Sequence, residues 1–310
     1  MNFAKACEIL SQHFSNLTKN QDGQLASYIP ELAKVDPTLF SASLVSIDGE
    51  IFSVGNTDQT FSLQSTSKPI VYSLALRELG SDFVHSKVGV EPTGEAFNSI
   101  IELEENSHRP FNPMINSGAI ATTSLINGKS YKDKLNLIID YVSELAGRRL
   151  EIDKSIFESE RATAHRNRAI AYLMKHFDVM TSDVEETLAL YFNQCSILVD
   201  TRDLALIAGS LANQGIHPLS KKQLISKDHT SKTLRLMFTC GMYDTAGEWA
   251  FRVGLPAKSG VSGAIFLVVP GQFGLAVYSP RIDQHGHSVR GRLLIENLVS
   301  DLDLNIFSKG

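Results

Sequence analysis

Two strand-turn-strand patterns, one near each end of the chain, limit its fold more than any other feature. Residues 40–55, FSASLVSIDGEIFSVG, read as two strands around Asp48-Gly49, a dipeptide that favours a tight hairpin turn. Residues 264–279, AIFLVVPGQFGLAVYS, repeat the pattern, with Pro270-Gly271 and Gly274 as punctuation. A lone two-stranded hairpin is marginal in water. The economical solution joins the two hairpins in one antiparallel sheet covered by the terminal helices.

The intervening sequence is almost wholly helical. KLNLIIDYVSELAG sets Leu135, Ile138, Ile139, Val142, Leu145 and Ala146 on one face and stops at Gly147. SDVEETLALYF opens with a capping box from Ser182 to Glu185. TRDLALIAGSLANQG starts at a Thr201 cap and ends near Gly215. VRGRLLIENLVSDL, after residue 288, is again amphipathic. The expected class is α+β. Residues 1–66 and 225–310 are expected to form a discontinuous sheet domain and residues 67–224 an inserted helical domain, which leaves the cleft between them as the place for a site.

Charge and cysteine usage exclude several classes. The 310 residues carry a net charge of −5 and no run of Lys and Arg, so there is no electrostatic footprint for nucleic acid. The longest unbroken apolar run, AIFLVV, has strand length and falls far short of a membrane span. Cys7, Cys195 and Cys240 lie far apart, which indicates neither a disulfide framework nor a zinc site. The histidines have no metal-ligand spacing, and His285-Gly286-His287 reads as a loop. No metal or other cofactor is expected. The first residues lack the apolar core of a signal peptide, and the expected compartment is the cytoplasm.

Chemistry enters at QSTSKP, residues 64–69. Ser65 and Lys68 are three apart, so on a helix they share a face. The next residues, 69–76, carry no charge, which suits a helix buried between two lobes. With Ser65 capping it, Pro69 falls at the edge of the first turn, where a missing donor costs least. Free N–H groups at that end favour a developing oxyanion. A solvated cap beside a surface lysine is the other reading of the same spacing. The second element is Lys258-Ser259-Gly260, just before the apolar strand. Serine acyl-transfer enzymes of the penicillin-recognising class pair S-x-x-K with such a strand edge.

The stretches FSLQSTSKP, RPFNPMINSGAI, ESERATAHRNRAIAY, YFNQCS, TCGMYD, FRVGLPAKSGVSGAI and SPRIDQHGHSVRG follow in order along the chain. Together they make the sequence resemble the serine-dependent glutaminase family, which has a β-lactamase-like fold. The match runs from about residue 23 onward, with one small departure: Asn116-Ser117-Gly118-Ala119 stands where the family often reads Asn-Ala-Gly-Ala. The resemblance implies hydrolysis of L-glutamine to L-glutamate and ammonia, with Ser65 as nucleophile and Lys68 as general base. It implies a glutamine site lined by Asn116, Glu160, Asn167, Tyr191, Tyr243 and Val261, with Tyr28 and Gln64 as neighbours. A homodimer or homotetramer is implied as well.

Glutamine brings two charges that a buried site must pair. Glu160 is the candidate for the ammonium, although a helix glutamate more often faces water. Asn116 and Asn167 can donate to the α-carboxylate; turn or cap chemistry is their ordinary use. Arg166 is set aside as an exposed cation. Tyr243, with Lys68, is the candidate to protonate departing ammonia, and Tyr191 to bind substrate, though a buried tyrosine is more often plain core. Ser65 and Val261 would offer the oxyanion their N–H groups. Residues 94–113 would form a lid. Two alternatives share the motifs: another S-x-x-K amidohydrolase of the β-lactamase or penicillin-binding class, and a catalytically inactive binding relative.

Overall fold

The computed structural model describes residues 3–93 and 108–307. The lid expected over 94–113 therefore lies mostly outside the described residues. Both predicted hairpins form. Strands β1 (Ser41–Ser46) and β2 (Ile51–Gly55) make the first, and β6 (Ala264–Val269) and β7 (Phe273–Tyr278) the second. They join through antiparallel pairing of β1 with β7. With β5 (Ala257–Gly260) the sheet runs β2-β1-β7-β6-β5. The N- and C-terminal segments thus build one antiparallel sheet, as the marginal stability of separate hairpins requires.

The sheet is covered on both faces, which is why its inner strands read as continuous apolar runs rather than alternating ones. Along β6, Ile265, Leu267 and Val269 join a core with Leu44 and Leu275. Helices α1 (Phe3–Leu17) and α12 (Val289–Asp301) close that core through Leu10, Phe14, Ile295 and Leu298. Phe266 and Val268 point the other way, into the larger core shared with the helical half. Each such fully buried side chain contributes roughly 1.5–3 kcal/mol of transfer free energy.

Helix α9 (Thr201–Ala212), inside the segment expected to be helical insert, lies directly on β7 and β1. Gly274 makes this approach possible. It is a mid-strand residue of β7, paired with Val45 and Val268, and not the turn punctuation expected of it. A Cβ there would sit 2.2 Å from the Gly209 nitrogen and 2.5 Å from Ala208 Cβ. The turn itself is made by Pro270-Gly271, with Gly271 at φ 72.

Two caps fall one residue from their expected places. Asp183, not Ser182, caps α8 (Val184–Cys195) by accepting from the Glu186 N–H. Asp200, not Thr201, caps α9 in a reciprocal box with Asp203. In both, an aspartate beside the hydroxyl residue reaches the third helical N–H, and spacing alone does not separate the two registers. Helix α5 (Tyr131–Ala146) follows expectation and ends at Gly147 in the left-handed region.

A second, two-stranded sheet prepares the site. Strand β3 (Phe61–Ser62) pairs with β4 (Leu198–Val199), and the Leu63 N–H donates to Ile197 O at 2.9 Å. This pins the chain just before residues 64–67. Among the described residues no helix is long and apolar enough to cross a membrane.

Candidate active site

Ser65 does not cap a helix directly. It lies in a single 3-10 turn, Gln64–Ser67, that runs without a break into α2 (Lys68–Leu79). Ser67 occupies the cap position, Pro69 is in the first turn, and the Lys68 N–H donates to Ser65 O. Every residue from Gln64 to Leu76 is buried, as the uncharged run predicted. The Lys-Ser-Gly strand β5 packs against this turn. At Gly260 a Cβ would be 3.1 Å from Leu63 O and 3.2 Å from Thr66 Cγ2, so glycine brings the strand edge up to the serine.

Lys68 has no exposed route to solvent: only 2% of its surface is accessible. Its Nζ donates to Asn116 Oδ1 at 2.7 Å and to Met114 O at 3.3 Å, both neutral oxygens. Among the described residues it makes no ion pair. Burial therefore lowers its pKa to about 8. The surface-lysine reading of the motif fails on this burial.

Asn116 begins α4 (Asn116–Ser124) and joins three elements. Its Oδ1 accepts from Lys68 and, at 3.4 Å, from the Tyr191 hydroxyl on α8. Its amide donates to Asn167 Oδ1 at 3.0 Å, on α7 (His165–His176). Glu160 is not on a solvated face. It is 7% exposed, on α6 (Lys154–Thr163), and its Oε1 accepts from Gln64 Nε2 at 2.6 Å. Burial raises its pKa to about 8, against the opposing Gln64 hydrogen bond and Lys68 charge.

Tyr243 opens a short 3-10 turn, Tyr243–Thr245, after α10 (Lys227–Cys240). Its hydroxyl donates to Ser259 O at 3.1 Å and is hydrogen-bonded with Ser65. Lys258 Nζ sits 4.1 Å from the centroid of its ring, a cation–π distance. Burial, then the Lys68 charge, pushes the Lys258 pKa well below the ordinary value. Both Gln64 (φ 47) and Tyr243 (φ 52) hold left-handed backbone. Such strain in non-glycine residues costs on the order of 1 kcal/mol or more, and it collects at functional sites.

These groups surround a cavity of about 200 Å3, smaller than the roughly 300–1,000 Å3 of drug-sized pockets. Ser65, Asn116, Glu160 and Asn167 reach it, as do Tyr191, Gln64 and Val261. Tyr28 forms its rim with 52% of its surface exposed. Lys68 and Tyr243 do not line it but adjoin Ser65, Lys68 directly after the serine turn and Tyr243 through its hydrogen bond with the serine. All ten residues singled out from the sequence are thus brought together. Arg166, set aside as exposed, also lines the mouth. Cys195 was missed: its buried thiol reaches the cavity and hydrogen-bonds with Tyr191 and Ser67. The four-residue spacing from Tyr191 to Cys195 in YFNQCS puts both on one helix face and was the available signal. Among the described residues no group of three or more His, Cys, Asp or Glu could hold a metal ion.

A helix-flanked antiparallel sheet closed by both chain ends, with a Ser-x-x-Lys turn against a Lys-Ser-Gly strand, defines the β-lactamase-like class. Comparison with known proteins narrows this. A family model for glutaminase matches residues 23–307. A glutaminase of Trichormus variabilis is 49% identical over 299 residues, covering 96% of this chain and 89% of that protein. The solved structure of a probable glutaminase, ybaS, superposes with a TM-score of 0.97 at 38% identity, covering 100% of both chains. That of Mglu in its glutamate form gives 0.94 at 39% identity, over 98% of this chain and 70% of the other. The chain belongs to the glutaminase family.

Proposed function

We propose that this protein hydrolyses L-glutamine to L-glutamate and ammonia through a γ-glutamyl ester of Ser65. The observation that carries the reading is the buried Lys68 ammonium, one turn from the Ser65 hydroxyl, paired only with neutral oxygens. A lysine held this way gives up its proton near neutral pH and can accept another from a serine.

In the proposed cycle, Ser65 Oγ attacks the side-chain carboxamide carbon as its proton passes to neutral Lys68. The C–N bond then breaks. The departing nitrogen takes a proton relayed from Lys68 through the Tyr243 hydroxyl and leaves as ammonia. A water molecule, deprotonated by the same base, cleaves the ester and returns the proton to Ser65. The oxyanion of each tetrahedral intermediate is held by the N–H groups of Ser65 and Val261, an effect worth about 3 kcal/mol per donor in well-studied cases. The placement of Gly260 against the serine turn supports this pairing.

The rest of the cavity accounts for the α-carbon groups. Glu160 takes the substrate ammonium, which restores its charged form inside a low-dielectric pocket. The Asn116 and Asn167 amides take the α-carboxylate, with Tyr191 beside them. The small cavity favours a compact amino acid. We place the enzyme in the cytoplasm as a homodimer or homotetramer, divided between sheet and helical domains as the sequence predicts. Ammonia release with glutamine and asparagine in parallel tests the reading: turnover of glutamine is expected, and turnover of neither would overturn it.

A further inference from the structure

The loop His285-Gly286-His287 has no part in the cycle above, yet it is fastened to the two residues that follow Tyr243. His285 Nδ1 lies 2.9 Å from Asp244 Oδ2, on the residue after the tyrosine. His287 Nε2 lies 2.8 Å from Thr245 Oγ1, one residue further. Between them Gly286 sits against the Tyr243 ring and Val261: a Cβ there would be 3.6 Å from Tyr243 Cε2 and 3.5 Å from Val261 Cγ1. The loop is itself rigid, because Asp283 Oδ1 accepts from the N–H groups of both His285 and His287, at 2.9 and 3.0 Å.

His287 is the fixed member of the pair. It is fully buried and stacks on Tyr243, with centroids 5.2 Å apart and planes 15° from parallel. Its tautomer follows from its partners. Thr245 spends its hydroxyl proton on Met242 O at 2.8 Å, so it accepts from His287 Nε2–H. Nδ1 is then bare and accepts from the Ser259 hydroxyl at 2.9 Å, the shorter of that hydroxyl's two acceptor contacts, since Gly286 O lies at 3.5 Å. A neutral imidazole therefore spans from the Lys-Ser-Gly strand to the turn that carries Tyr243. Burial holds the ring in that form by pushing its pKa well below the ordinary imidazole value. On the opposite side of the same serine, Ser259 O accepts from the Tyr243 hydroxyl and from Lys258 Nζ.

We infer that His287 is a positioning residue for Tyr243: by bridging Thr245 and Ser259 under the phenol ring, it aims the tyrosine hydroxyl at Ser65. The inference rests on the glutaminase reading for its effect on turnover, but not for its effect on Tyr243. Without the bridge, the buried Ser259 hydroxyl and the half-buried Thr245 hydroxyl each lose a partner, and the left-handed Tyr243 backbone loses the ring beneath it.

The test compares His287→Ala, His287→Asn and His287→Phe with wild type. Asparagine keeps an acceptor and a donor, whereas phenylalanine keeps a buried ring and neither hydrogen bond, and serves where the alanine protein does not fold. Displacement of a catalytic group by about 1 Å can cost 100-fold. The expected result for the Ala and Phe variants is a kcat loss of about 10- to 100-fold with KM nearly unchanged. His287→Asn should recover most of the rate. In parallel, NMR of tyrosine labelled with 13C at Cζ, with Tyr243 assigned by Tyr243→Phe, should show that resonance shifted in the Ala and Phe variants and restored in Asn. A folded Ala or Phe variant with wild-type kcat and an unmoved Tyr243 resonance overturns the inference, as does a loss that Asn fails to restore. The NMR arm needs no substrate. A wild-type protein inactive on glutamine would therefore sink the reaction reading and leave the positioning role to be judged on that resonance.

Discussion

Asn116 Oδ1 receives the Lys68 ammonium at 2.7 Å while the amide of the same asparagine donates to Asn167 Oδ1 at 3.0 Å. One neutral side chain therefore connects the proposed base to the proposed carboxylate subsite. Its neutrality matters, because a carboxylate in that place would hold the proton on Lys68.

Replacing it with a carboxylate is the direct check. Asn116→Asp should raise the Lys68 pKa by about one unit or more, since an opposite charge within hydrogen-bond reach favours the ammonium. The alkaline-rising limb of kcat should move up by the same amount, read from pH–rate profiles at saturating glutamine.

For the wild type, the direction of the Lys68 shift sets the pH response. Only the neutral amine can accept the serine proton, and with a pKa of about 8 roughly a tenth of the lysine is neutral at pH 7. Turnover should rise between pH 6 and 9 with an inflection near 8. A kcat flat across that range contradicts lysine as the base.

Glu160 couples function to stability in opposite senses. Its folded pKa of about 8 lies above its ordinary value of 4.5, so the folded state binds more protons between those limits. The glutamate's contribution to stability is complete below pH 4.5 and is lost as pH rises through 8. Glu160→Gln should therefore melt at a higher temperature than wild type at pH 8, with the gap closing toward pH 4.5. The same variant should raise KM for glutamine about 30-fold or more, the loss of one partner of a buried charge pair. Calorimetry at the two pH values and steady-state kinetics separate the two effects.

Gly274→Val tests the contact between α9 and the sheet. The added side chain meets the Gly209 backbone and Ala208, and overpacking of this kind costs roughly 1–3 kcal/mol. The denaturation midpoint should fall, while KM for glutamine in the folded protein stays at its wild-type value.

The sheet was legible because hairpin turns and apolar strands are local signals with one economical way to combine. The serine turn was legible because residues 69–76 carry no charge beside Lys68, a mark of burial. What remained hidden depends on contacts distant in sequence. Gly274 reads as a turn residue until Gly209 is seen against it. Glu160 reads as a surface glutamate until Gln64, 96 residues earlier, covers it. The caps at Asp183 and Asp200 turn on which of two adjacent side chains reaches the third N–H, a one-residue register that spacing alone leaves open. The candidate binding residues came from resemblance as much as from chemistry, since their isolated readings pointed to core, turn or surface.

The most direct measurement is the rate of glutamine-dependent ammonia production by purified Ser65→Ala beside the unaltered enzyme. Loss of the proposed nucleophile should lower kcat by at least about 1,000-fold, with glutamate still bound because Glu160, Asn116 and Asn167 are untouched. Ammonia produced by the alanine variant at a rate comparable to the parent would contradict the account.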